Sequence, residues 1–232
     1  MFTLLSISAL VAQTANTAVP TAQKAVELDL IDLAFKGGWL MIPLVLLSII
    51  AAYIFGERYM VLKKASKIDP NFMEQIKDQI YQGKVDSALR LCKSNDTPIA
   101  RMIEKGISRI GRPLNDVNTA IENVGNLEIS KLEKGLPTLA SVAGGAPMIG
   151  FLGTVTGMVR AFYDMATAGN NIDIQLLSSG IYEAMVTTVA GLIVGISAYF
   201  AYNILVSKVD KVVFKMEATT SEFMDLLHEP VK

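Results

Sequence analysis

The chain has 232 residues, 51% of them hydrophobic, a formal net charge of -1, one cysteine and one histidine. One cysteine excludes an internal disulfide and a cysteine-based metal site, and one histidine excludes a His-ligated metal centre or a Ser-His-Asp site built from this chain alone. The charges are gathered into blocks that leave residues 37–56, 135–159 and 184–207 uncharged, each long enough against the ~20 residues that cross a ~30 Å hydrocarbon core. With a mean hydropathy of +0.40, the expected class is an all-α polytopic membrane protein: three transmembrane helices, with long helices extending into a cytoplasmic helical domain.

Residues 1–36 open on the apolar stretch FTLLSISALVA and turn polar and slightly acidic after Pro20. The start resembles a signal peptide but lacks its basic residues and a convincing cleavage site. It is expected to stay as an N-terminal periplasmic segment lying along the membrane. Residues 37–59 are the first span. Trp39 and Tyr59 suit the two interfacial belts, and Pro43 falls in the first turns, where a missing amide proton costs least. Arg58, Lys63, Lys64 and Lys67 follow. By the positive-inside rule they place this exit in the cytoplasm and the N-terminus outside.

Residues 60–134 read as the cytoplasmic helical domain. Asp69-Pro70 opens a helix with Phe72, Ile76 and Ile80 on one face, and Gly83 interrupts it. Val85, Ala88, Leu89 and Cys92 mark a second helix; Ile99, Met102, Ile103, Ile107 and Ile110 mark a third. After the Gly111-Arg112-Pro113 break, Leu114, Val117, Ile121, Val124 and Leu127 form a stripe that runs toward the second span. Charges of both signs alternate here without aromatic-basic interleaving, so no nucleic-acid partner is expected.

The second span is 135–165 and the third 178–205. The periplasmic loop 166–177 carries Asp173 and no Lys or Arg. Lys208, Lys211 and Lys215 then open a cytoplasmic C-terminal helix, 206–232, with Val209, Val212, Val213, Met216, Phe223, Leu226 and Leu227 in helical spacing.

Two features of these spans carry the functional expectation. Gly153–Gly157 and Gly191–Gly195 are GxxxG spacings, which let helix backbones approach closely in lipid. Thr154, Thr187 and Thr188 add hydroxyls, which hydrogen-bond without titrating and so line a polar path without carrying charge. Glu183 and Arg160 are the ionisable groups nearest membrane depth, and such groups are functional candidates by default. If Thr154 and Thr188 sit level on antiparallel helices, Arg160 and Glu183 lie roughly 9 and 7.5 Å outward at 1.5 Å per residue. They then form an ion pair, with Asp164 as the competing partner of Arg160. No Asp, His or Lys lies mid-membrane, so a second subunit is expected to supply any titrating carboxylate. No nucleophile–base pair or metal-ligand set lies in the spans, which argues against an enzyme.

PMIGFLGTVTGMVRAF and YEAMVTTVAGLIVGISAYFAYN, in this order, resemble the paired spans of the MotA/TolQ/ExbB proton-channel family. The ExbB branch fits best, and the four-span MotA branch less well. The resemblance implies a homopentamer in the inner membrane of a Gram-negative bacterium, surrounding an ExbD-like single-span dimer whose aspartate takes and releases the proton. It implies protons as coupling ion, no cofactor, membrane lipid as surroundings, and a TonB-like protein that passes work to outer-membrane transport. A TolQ-like role in envelope maintenance is the near alternative, and a passive membrane scaffold the distant one. Thr154 and Thr188 fall on the family's pore threonines, with Thr187 beside the latter, and Glu183 falls on the carboxylate heading the third span. Ser197 stands where relatives commonly have proline, and Thr156 where many have tryptophan.

Overall fold

The computed structural model describes residues 38–67, 69–167 and 174–228. The expectations for residues 1–36, for Asp173 and for the last four residues lie outside them. The described chain forms seven helices: α1 (Met41–Ala65), α2 (Phe72–Tyr81), α3 (Val85–Ser94), α4 (Pro98–Ile107), α5 (Leu114–Glu133), α6 (Leu136–Thr167) and α7 (Ile174–His228). Three of these stretches are long and apolar enough to cross a membrane. Among the described residues every regular element is a helix.

Local sequence sets the ends of the short helices. Before α2, the amide of Asn71 donates to Asp69 Oδ1 at 3.0 Å. The helix closes with Lys84 N–H bonded to the Gln79 carbonyl around Gly83, whose φ of 70° is left-handed. Thr97 caps α4 by accepting from Ala100 N at 3.3 Å, with Pro98 at the first helical position.

These helices and the far half of α7 enclose one core. Ile76, Cys92, Ile99, Ile103, Ile107, Ile121 and Phe223 are all buried in it, and each such side chain contributes about 1.5–3 kcal/mol over an exposed one. Gly106 admits the close approach, since a Cβ there would come 2.6 Å from Phe223 Cε1 and 2.7 Å from Ile121 Cδ1. Two expected core residues are exposed. Ile110 lies in the turn beyond α4, and Leu127 points outward because α5 buries Gly125 and Glu128 instead. Glu128 is 3% exposed and accepts from Arg101 Nη2 at 2.6 Å and Lys131 Nζ at 2.7 Å. Burial pushes its carboxyl upward, but these two cations outweigh that and hold it below the ordinary value.

A break joins this domain to the spans. Lys134 leaves the helix at φ -52° and ψ 127°, and Gly135 has a φ of 86°. The last carbonyls of α5 therefore lose in-helix partners. Arg58 of α1, 9% exposed, supplies one by donating from Nη1 to the Lys131 carbonyl at 3.3 Å, and its Nη2 pairs with Glu57 at 2.8 Å. Beside it, the Lys208 ammonium of α7 lies 4.5 Å from the Tyr59 ring centre.

At 55 residues, α7 is about 80 Å long at 1.5 Å per residue, nearly three hydrocarbon thicknesses. It runs unbroken from the loop into the domain core, past Ser197. The outer faces of α6 and α7 expose Phe151, Val159, Phe162, Ile193, Ile196 and Phe200. A contiguous apolar surface of that extent suits lipid and neighbouring protein rather than water.

Candidate functional site

The site is the seam between α6 and α7, where small residues from both helices face each other. A Cβ at Gly150 would sit 3.0 Å from the Thr187 carbonyl and 3.2 Å from the Gly191 Cα; one at Gly191 would sit 2.6 Å from the Ala146 carbonyl. Toward the loop, a Cβ at Gly157 would meet Ala184 Cβ at 2.8 Å, and one at Gly180 would meet Ala161 Cβ at 2.8 Å. At the other end Gly195 lies under the Pro147 ring, 3.1 Å from the Ala143 carbonyl by the same measure. Pro147 has no amide proton, so that carbonyl lacks its usual in-helix donor. The expected packing glycines Gly153, Gly157, Gly191 and Gly195 all lie on this seam. Gly150, Gly180, Ala184 and Pro147 belong to it equally. They escape a GxxxG search because the seam interleaves glycine, alanine and proline rather than repeating one spacing.

The register differs from the expected one. Thr188, not level with Thr154, stands opposite Gly150 and donates from Oγ1 to the Gly150 carbonyl at 2.8 Å. The closest backbone approach across the seam is at Gly191, where a Cβ would lie 2.6 Å from the Ala146 carbonyl oxygen and 2.9 Å from Gly150 Cα, and it fixes this offset. Thr154 therefore lies about one turn nearer the loop. It is half-buried and back-bonds to the Phe151 carbonyl at 2.6 Å. Thr187 is 2% exposed, covers Gly153, and donates to the Ala184 carbonyl at 2.8 Å. Its neighbour Thr188 thus makes the interhelical bond, while Thr187 is tucked into the seam.

The same offset accounts for Arg160 and Glu183. Both line one crevice of about 80 Å³ with Trp39, Thr156, Gly157 and Thr187, yet no ion pair joins them among the described residues. The expected pair fails because its premise, Thr154 level with Thr188, does not hold. Asp164 takes no ion pair with Arg160 either. Glu183 instead reaches across to the start of α1, where a Cβ on Gly38 (φ 66°) would fall onto its Oε1. The carboxylate thus lies near the positive end of the α1 dipole. Among the described residues no group of three or more His, Cys, Asp or Glu is placed to hold a metal ion.

Chemically, the seam offers hydroxyl and carbonyl oxygens at depth and ionisable groups only toward the loop. From Lys134 to Arg160 and from Glu183 to Lys208 the chain has no charge of its own. Between those charges the seam offers polar contact through hydroxyl and carbonyl oxygens but no charged side chain.

The chain is 30% identical over 162 residues to a biopolymer transport protein ExbB homolog of Methanothermobacter thermautotrophicus, a match covering 69% of this chain and 57% of that relative. An ExbB-like protein of Synechocystis is 28% identical over 204 residues, covering 87% of this chain and 80% of the relative. The Tol-Pal system protein TolQ of Haemophilus influenzae is 29% identical over 218 residues, covering 87% and 95%. Residues 94–218 match the pattern of the MotA/TolQ/ExbB proton channel family, a stretch that holds α4, α5, the whole seam and the first half of the α7 extension. The chain belongs to the MotA/TolQ/ExbB proton channel family.

Proposed function

We propose that the chain is the ring-forming subunit of an ExbB-like, proton-driven motor in the inner membrane, with its N-terminus periplasmic and its C-terminus cytoplasmic. Five copies surround a dimer of a single-span, ExbD-like partner, and a TonB-like protein carries the work onward. One observation carries this reading: the seam is lined with hydroxyls at a depth where the chain has no titratable group, so the carboxylate must come from another subunit. The exposed apolar faces of α6 and α7 leave room for both lipid and neighbouring copies. The basic residues Arg58, Lys63, Lys64, Lys208 and Lys211 gather at one end of the spans and support the orientation.

On this reading Thr154 and Thr188 are the polar points of the path and Thr187 and Glu183 lead to them, with protons as coupling ion and no cofactor. A TolQ-like motor serving the cell envelope is the second reading, favoured by the matches to proteins of that name over most of the chain. Growth complementation of strains lacking one system or the other separates the two.

Thr188→Val tests the path itself. It keeps the shape and removes one interhelical hydrogen bond, worth about 0.6 kcal/mol on average in a membrane protein. Assembly should therefore survive, while coupled activity should fall at least tenfold and Thr188→Ser should restore it. Full activity in both Thr188→Val and Thr154→Val would reduce the chain to a passive scaffold.

A further inference from the structure

The crevice between the start of α1 and the seam has no assigned role. It measures about 80 Å³, several times the roughly 10–15 Å³ that admits one water. Its walls mix apolar surface with several polar side chains. Arg160 and Glu183 face into it without an ion pair between them. Thr156 Oγ1 spends its proton on the Leu152 carbonyl at 2.9 Å, and Thr187 Oγ1 on the Ala184 carbonyl at 2.8 Å. Both hydroxyls keep lone pairs free to accept, and both residues line the cavity. Cavities of this size stay dry when apolar, whereas convergent polar groups hold water. Among the described residues neither Arg160 nor Glu183 has an ion-pair partner, and charged side chains at membrane depth need solvation. The mouth lies at Trp39, which is 72% exposed, beside Gly38, where only glycine leaves space for the Glu183 carboxylate.

We propose that this crevice is a water-filled vestibule inside each single chain, opening beside Trp39 and ending at Thr187. It gives water, and the protons that move along it, access to the seam without crossing the centre of an assembly. As a segment of a coupling path it rests on the reading above; as a hydrated cavity it does not.

The test is cysteine accessibility in the full chain reconstituted in liposomes, using 2-hydroxyethyl methanethiosulfonate, which reacts with the hydrated thiolate. Native Cys92, buried in the helical domain, makes the unsubstituted chain the blank. Thr156→Cys and Thr187→Cys should be modified at least tenfold faster than Ile49→Cys, which sits on the exposed apolar face of α1. If Thr187→Cys does not assemble, Glu183→Cys on the same wall takes its place under the same criterion. Rates no faster than that of Ile49→Cys at the inner position overturn the proposal. These rates require no coupled activity. Fast labelling together with full activity of Thr188→Val leaves the vestibule standing and removes the path. Slow labelling with activity lost in Thr188→Val does the reverse.

Discussion

Gly191→Ala probes the seam at its tightest backbone contact. The added Cβ would lie 2.6 Å from the Ala146 carbonyl oxygen and 2.9 Å from the Gly150 Cα. Ordinary contacts begin near 3.4 Å, and both neighbours are backbone, so α6 and α7 must part by most of an ångström. The Thr188–Gly150 bond, now 2.8 Å, would then stretch beyond useful length. Overpacking of this kind costs about 1–3 kcal/mol. Alanine also favours a helix over glycine by about 0.5–1 kcal/mol, so a matched control is needed. Gly144→Ala provides it, because a Cβ there meets nothing within 4 Å. Both variants share the propensity gain and only one meets the clash. Inactivation half-lives of the detergent-solubilised protein at fixed temperature should therefore differ by roughly five- to hundredfold, with Gly191→Ala the shorter (1.4 kcal/mol per decade). Equal half-lives would mean that backbone contact at Gly150 and Gly191 does not hold the helices together, and the register argument would fall with it.

The helical domain supports three further expectations. Glu128 has its carboxyl held below the ordinary value, so its stabilising contribution is present above the unfolded pKa of about 4.3 and is lost as pH falls through the lower folded value. Glu128→Gln should lower stability by on the order of 2 kcal/mol at neutral pH and flatten the acid limb of a denaturation profile; an unchanged limb would refute the assignment. Burial, with Glu104 adding to it, pushes the Cys92 thiol up to about 12. Its contribution is therefore intact below about 8.5, the unfolded pKa, and is lost as pH rises toward 12. The native thiol should stay unlabelled at pH 8 and react only on unfolding, which mass spectrometry reads directly. Gly135→Ala must hold a φ of 86° with its Cβ 3.3 Å from Ile54 Cγ2, so it should cost at least the 1–2 kcal/mol of the left-handed region. Gly56→Ala, with open space around it, should not, and thermal melts of the two variants compare them.

The three apolar spans and the helical stripes around Ile76, Ile103 and Ile121 were legible because burial imposes a period that the residues repeat. Four glycines of the seam, Gly153, Gly157, Gly191 and Gly195, were legible as GxxxG pairs, whereas Gly150 and Gly180 stand outside that spacing. The register of the seam was not legible. Thr154 and Thr188 look equivalent in sequence, but the offset depends on which two glycines touch, and that is a property of two surfaces meeting. Arg58 shows the other limit. Among the basic residues after the first span it reads as one more topological charge, whereas its role depends on where α5 ends, 73 residues away in sequence. Glu128 likewise sits in an ordinary amphipathic pattern, and only the approach of Arg101 from a separate helix makes it the buried centre of a cluster.

The break at Gly135 has a mechanical counterpart in the unbroken α7. One wall of the seam is a stiff lever about 80 Å long, anchored by Phe223 in the helical domain. The other wall reaches the same domain through a joint that Arg58 clasps. A displacement of the lever therefore travels the full length of the molecule, while the jointed wall is free to absorb a change of tilt locally. Two helices that grip each other at Gly150 and Gly191 thus transmit force unequally to the far end. A load applied at either end would be felt along α7 and eased at Gly135.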